Sequence, residues 1–249
     1  MRILLISDIH GNWPALAALN EPHDICLCMG DLVEYGPEPG KVVDWVRRNA
    51  AYCVRGNHDH GTAQNVDVSG VGGFRFLTMA TRQPTMHMLG AADRRYLADL
   101  PTMSLFTLEK KRFLLVHATP RDPMDEYVMA DATQWANRVA GWNADYVCVG
   151  HTHFQFALDV VGTKVINPGS LGLQRDGIPL ARYAILENGQ VELKQMEYDT
   201  EAAVAAVNDS PFDDRAKAML NDIFRIGRYQ SPIPGMNGVH APVPQRLGA

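Results

Sequence analysis

Two aspartates, one asparagine and four histidines recur in this chain where apolar runs end. They lie in Asp8-Ile9-His10-Gly11-Asn12, Gly30-Asp31, Gly56-Asn57-His58-Asp59, His117 and Gly150-His151-Thr152-His153. Carboxylate, amide oxygen and imidazole are the hard and borderline donors that divalent metals take. Asp8 and His10 are one residue apart, so a loop leaving a strand can turn both toward one ion. His151 and His153 share that spacing, and each can serve a different ion. Asp31 follows Gly30, which permits close backbone approach, and its two oxygens suit it to bridge. Asn57 offers a neutral oxygen, and His117 ends the apolar run 113–116. A lone histidine after a strand is more often a surface or core residue. The weight of this reading lies in the conjunction.

The elements that must position these groups are legible in outline. Residues 2–6 are a near-continuous apolar run, as in a strand buried on both faces. A helix over 13–19 follows, with Asn12 as N-cap and Pro14 in its first turn. Strands are expected over 24–29 and 51–54, flanking a helix over 39–49 with Val42, Val43 and Val46 on one face. Residues 61–88 read as a helical or irregular cover. Phe74, Phe76, Met79, Met86 and Met88 within it are either core packing or the lining of a base pocket. A helix over 91–100 precedes a hairpin turning at Lys110-Lys111. A helix over 132–142 and a strand over 146–149 come next. Two further hairpins turn at Gly162-Thr163 and Asn188-Gly189. Helices over 201–207 and 213–226 close the periodic part, and 231–249 is a Pro/Gly-rich tail. Strands and helices alternate first and hairpins follow, which points to a mixed sheet layered with helices, two packed sheets being one arrangement. Ligands in such sheets collect beyond the carboxyl ends of strands, where all five motifs fall.

The 249 residues are 46% hydrophobic and 20% charged, enough for a sizeable core. A net charge of −5 gives no basic footprint for nucleic acid. The first apolar run is too short for a signal peptide, and no stretch reaches the roughly 18 apolar residues of a membrane span. A cytoplasmic protein is expected, with Cys26, Cys28, Cys53 and Cys148 as buried reduced thiols. Self-association stays open.

On those five motifs, in that order, the chain resembles the calcineurin-like metallophosphoesterase superfamily, in its small bacterial and archaeal phosphodiesterase branch. The likeness spans residues 3–198 and includes Asn167-Pro168-Gly169-Ser170. It implies an α/β (α+β) fold, a four-layer αββα sandwich with mixed sheets. The domain would cover 1–230, with 61–88 as a variable segment and 200–227 as C-terminal helices. The resemblance also implies two divalent ions, Mn, Fe, Zn or Ni. Asp8, His10, Asp31 and His153 would hold one. Asp31, Asn57, His117 and His151 would hold the other, with Asp31 bridging. A hydroxide between the ions would attack phosphorus in line. His58 would act as general acid, supported by Glu34, with Asn57 and His58 also touching substrate. The protein-phosphatase branch has Arg after that carboxylate, where this chain has Tyr35. Arg121 or Arg55 is the candidate replacement for that cation. The expected activity is hydrolysis of small phosphodiesters or phosphomonoesters. A hydrolase of dinucleoside polyphosphates or cyclic nucleotides, and a non-catalytic scaffold, are the alternatives.

Overall fold

The computed structural model describes residues 1–67 and 72–230. It opens with β1 (Arg2–Ile6), α1 (Trp13–Ala17), β2 (Ile25–Cys28), α2 (Pro39–Asn49) and β3 (Ala50–Cys53). Three helices follow: α3 (Asn57–Gln64), α4 (Gly72–Met88) and α5 (Ala91–Asp99). Next come β4 (Met103–Leu108), β5 (Lys111–Val116), α6 (Ala132–Val139) and β6 (Tyr146–Cys148). The described part ends with β7 (Gln155–Val160), β8 (Thr163–Pro168), β9 (Ala181–Glu187), β10 (Gln190–Met196), α7 (Thr200–Asp209) and α8 (Asp214–Ile226).

The strands form two five-stranded mixed sheets, ordered β10-β9-β1-β2-β3 and β4-β5-β6-β8-β7. The alternation of β1 decides how they stack. Ile3 and Leu5 face inward with Phe113, Leu115 and Ile166 of the other sheet. Leu4 and Ile6 face outward, packing with Leu16 and with Val42, Val43 and Val46 of α2. On the second sheet, Leu114 and Val147 face outward onto Trp135 and Val139 of α6. Both faces of both sheets are therefore buried, and the layers run helix, sheet, sheet, helix. A fourth cluster packs α4, α7 and α8 over Tyr35 and Leu173, two loop residues beside the strand ends. Each fully buried Leu or Phe here contributes roughly 1.5–3 kcal/mol. Among the described residues no helix is long and apolar enough to cross a membrane.

Three expectations need correction. The first hairpin turns at Glu109-Lys110, with φ of 46° and 64°, and the second at Val161-Gly162, with φ of 49° and 83°. Two-residue turns with both φ positive match the strand twist, and this geometry overrode residue preference at Glu109 and Val161. Of the two readings open for 61–88, helical and irregular, the helical one holds over most of the described residues, with α3 starting at Asn57 and α4 carrying seventeen residues. The helix expected over 132–142 stops at Val139, where Ala140 turns extended ahead of Gly141 at φ 83°. Phe74, Phe76 and Met88 pack on the fourth cluster, while Met79 is exposed. The tail 231–249 lies outside the described residues.

Candidate metal centre

All the strand-end motifs meet at one edge of the sandwich. β1 delivers Asp8 and His10, β2 delivers Asp31, β5 delivers His117, and β6 delivers His151 and His153. Asn57 follows β3 as the first residue of α3, whose amino end presents His58 N–H to Asp31 Oδ1 at 2.9 Å. Asp8, His10 and His153 form one convergent donor group, and Asp31, His117 and His151 form a second. Asp31 Oδ2 reaches both, lying 3.7 Å from His10 Nε2 and 3.2 Å from His117 Nε2. Asn57 Oδ1 lies 3.1 Å from His117 Nε2. Asp8 Oδ1 is 3.3 Å from His153 Nε2.

The backbone holds these side chains in place. Asp8, His10, Asp31, His151 and His153 all have left-handed φ, between 49° and 68°. Such conformations cost of order 1–3 kcal/mol each and persist only where the surroundings impose them. Asp59 is one source of that constraint. Its carboxylate accepts from Asp31 N and Leu32 N at 2.8 Å and from Gly56 N at 3.0 Å, tying the β2 loop to α3. Burial, with Asp31 adding, pushes the Asp59 carboxyl up to about 7.

The residues fit a metal on the evidence of their own hydrogen bonds. His10 Nδ1 donates to Val33 O at 3.1 Å, His117 Nδ1 to Met29 O at 2.7 Å, and His153 Nδ1 to Leu173 O at 2.5 Å. In His10 and His153 that fixes the tautomer and leaves Nε2 as a lone-pair donor. In His117 burial opposes a charge, but Asp31 outweighs it and pushes the imidazole up to about 10, a proton that a bound ion would displace. His10 Nε2 and His153 Nε2 then face each other at 3.3 Å, which suits a cation between them. His151 Nε2 is buried with no hydrogen-bond partner among the described residues. Burial drives His10, His151 and His153 well below their ordinary pKa, so they are neutral, as ligation requires. Burial works against the Asp31 charge, but His117 and His58 outweigh it and hold that carboxyl well below its usual range. Burial raises Asp8 to about 6.

His58 stands apart from both donor groups. Its Nδ1 donates to Glu34 Oε2, and Glu34 Oε1 accepts from Arg82 Nε and, at 3.1 Å, from Thr62 Oγ1. Tyr35 Oη sits 3.3 Å from His58 Nε2 and 2.9 Å from Thr78 Oγ1. Arg121 is not at the site: its exposed guanidinium pairs with Glu126. Arg55 is not there either, donating instead to Ala98 O at 2.8 Å. The sequence reading missed Arg82, Arg175 and Tyr127. Arg82 left a signal: Thr78, Thr81, Arg82 and Thr85 recur at helical spacing as a buried polar stripe of α4. Arg175 and Tyr127 lie in loops and left none. Arg175 Nη1 donates to Tyr127 Oη at 2.7 Å, and the Tyr127 ring lies 4.1 Å from that of His151.

A family model described as the calcineurin-like phosphoesterase superfamily domain matches residues 1–190. The chain belongs to that superfamily. A metallophosphoesterase structure from Sphaerobacter thermophilus is 30% identical, with a TM-score of 0.73 over 88% of this chain and 98% of the other. A structure from Pyrococcus horikoshii OT3 shares the fold at 18% identity, with a TM-score of 0.77 over 92% of this chain and 99% of the other. An uncharacterized protein of Methanocaldococcus jannaschii is 29% identical over 81% of this chain and 89% of its own. This calcineurin-like phosphoesterase is therefore a metal-dependent enzyme acting on small phosphoesters, with two metal-binding groups at its strand ends.

Proposed function

We propose that this phosphoesterase is binuclear and hydrolyses small phosphodiesters or phosphomonoesters. The observation that carries this reading is Asp31 Oδ2, within 3.7 Å of an imidazole nitrogen in each donor group. Asp8, His10 and His153 would hold one ion, and Asn57, His117 and His151 the other, with Asp31 shared. Mixed nitrogen and oxygen donors of this kind suit Mn, Fe, Zn or Ni. Two divalent ions, when bound, supply positive charge against the phosphoryl oxygens and lower the pKa of the attacking water.

The chain's own residues do the rest. The carbonyls on Nδ1 fix the imidazoles, so no ligand has to reorient. Glu34, held by Arg82 and Thr62, fixes the His58 ring through Nδ1, while burial lowers the imidazole below its ordinary range, which makes it a ready proton donor once charged. His58 Nε2 then faces the site and can protonate the departing alkoxide, a role that contributes about 10²–10⁴-fold. Asn57 and His58 also touch the substrate phosphate.

The test uses chelator-stripped enzyme reloaded with Mn²⁺ and assayed on bis-p-nitrophenyl phosphate. Asp31→Ala should lose both metal and turnover; full activity in that variant would overturn the assignment. His58→Ala should keep its metal yet lose turnover by about 10²–10⁴-fold, most for poor leaving groups.

A further inference from the structure

Arg175 is half-buried in the loop after β8, two residues beyond Leu173, whose carbonyl orients His153. It is anchored on both sides of the site. On one side its Nη1 donates to Tyr127 Oη, and Tyr127 packs on His151. On the other its Cζ lies 4.5 Å above the Phe74 ring. Phe74 meets Tyr35 edge-on at 6.3 Å, and Tyr35 lies 4.8 Å from His10 and 4.9 Å from His58. The guanidinium thus links Tyr127, beside His151 of the second donor group, to Phe74, which leads through Tyr35 to His10 and His58. Its Nε is buried with no partner among the described residues, and neither carboxylate of the donor groups is hydrogen-bonded to it. A cation fixed by a hydroxyl and an aromatic face, with an unused donor, is a receptor for an anion.

We propose that Arg175 is the substrate-anion receptor and a specificity determinant. It favours a doubly charged phosphate, as in a phosphomonoester or the terminal phosphate of a polyphosphate, over the singly charged phosphate of a diester. This rests on the binuclear phosphoesterase reading. Asp8 and Asp31 neutralise only half the charge of two divalent ions, and Glu34 and Arg82 cancel each other. Arg175 adds one further positive charge, which a dianion uses more fully than a monoanion. Tyr127, 44% exposed at the rim, sets the angle of the guanidinium.

The experiment compares p-nitrophenyl phosphate with bis-p-nitrophenyl phosphate, which share a leaving group and differ in charge. Arg175→Met in the Mn²⁺-loaded enzyme should raise KM for the monoester by about 10–100-fold, as for loss of a hydrogen bond to a charged group. The diester KM should move several-fold less. Arg175→Lys should recover only part, because an ammonium lacks the planar fork. Tyr127→Phe, which keeps the ring, should shift the monoester KM in the same direction by less. Calorimetric titration with inorganic phosphate should show the same weakening at unchanged metal content and melting temperature. Equal effects on both esters, or unaltered phosphate binding, would overturn the proposal. If Arg175→Met does not fold, the Lys and Phe variants decide on the same readings. A wild-type enzyme that turns over neither ester would instead sink the phosphoesterase reading, and the phosphate titration would still decide Arg175.

Discussion

Arg82 shows how much a buried charge depends on its neighbours. Glu34 has no solvent exposure, and its two oxygens are taken by His58 on one side and by Arg82 and Thr62 on the other. Burial lowers the Arg82 guanidinium only to about 10, so the pair stays charged near neutral pH. Removing one partner of a buried pair leaves the other uncompensated, which costs about 3–5 kcal/mol. Arg82→Met should therefore lower the unfolding free energy by that amount, read as a lower urea midpoint at unchanged slope, and loosen His58 as well. A loss under about 1 kcal/mol would mark the pair as no better than a surface contact.

At the scale of elements, the site is a set of joints. The joint between β2 and α3 is the tightest. A Cβ on Gly56 would lie 2.1 Å from Asp31 Oδ1 and 2.5 Å from Asp31 N. Gly56→Ala must push Asp31 aside or shift the start of α3. Since misplacement by about 1 Å can cost 10²-fold in rate, the variant should lose metal and about that much activity. Elemental analysis with a kcat measurement checks this; an Ala variant with full metal would mean that the joint yields.

These joints also mark the limit of what was legible in the sequence. The apolar runs before Asp8, Asp31, His117 and His151 announced strands, because burial on both faces forces continuous hydrophobicity. Glycine-led polar motifs announced where the chain leaves them. The start of α3 stayed hidden, because Gly56 is a weak N-cap signal and Asp59 spends its carboxylate on three backbone donors. Arg121 looked well placed because it is close to His117 in sequence, yet Glu126 draws it outward. Arg175 carried no signal in the sequence, yet its loop passes the site. Long-range packing places both loop cations, and spacing along the chain does not report it.

Across the whole molecule, the core and the site share one edge, and metal should report on global stability. A ligand that binds only the folded state stabilises it by about 2.7 kcal/mol at a hundredfold excess over Kd. Melting temperature should rise with Mn²⁺ concentration, fall again with chelator, and stay flat for Asp31→Ala. A flat response in the wild type would mean that the donor groups do not bind the ion tightly. The left-handed backbone at five donor residues has a further consequence. Donor spacing is written into the main chain before any ion arrives, so loading is a matter of filling a cage and not of building one. Ions of similar radius meet the same opening, and which of them occupies it in a cell becomes a question of supply.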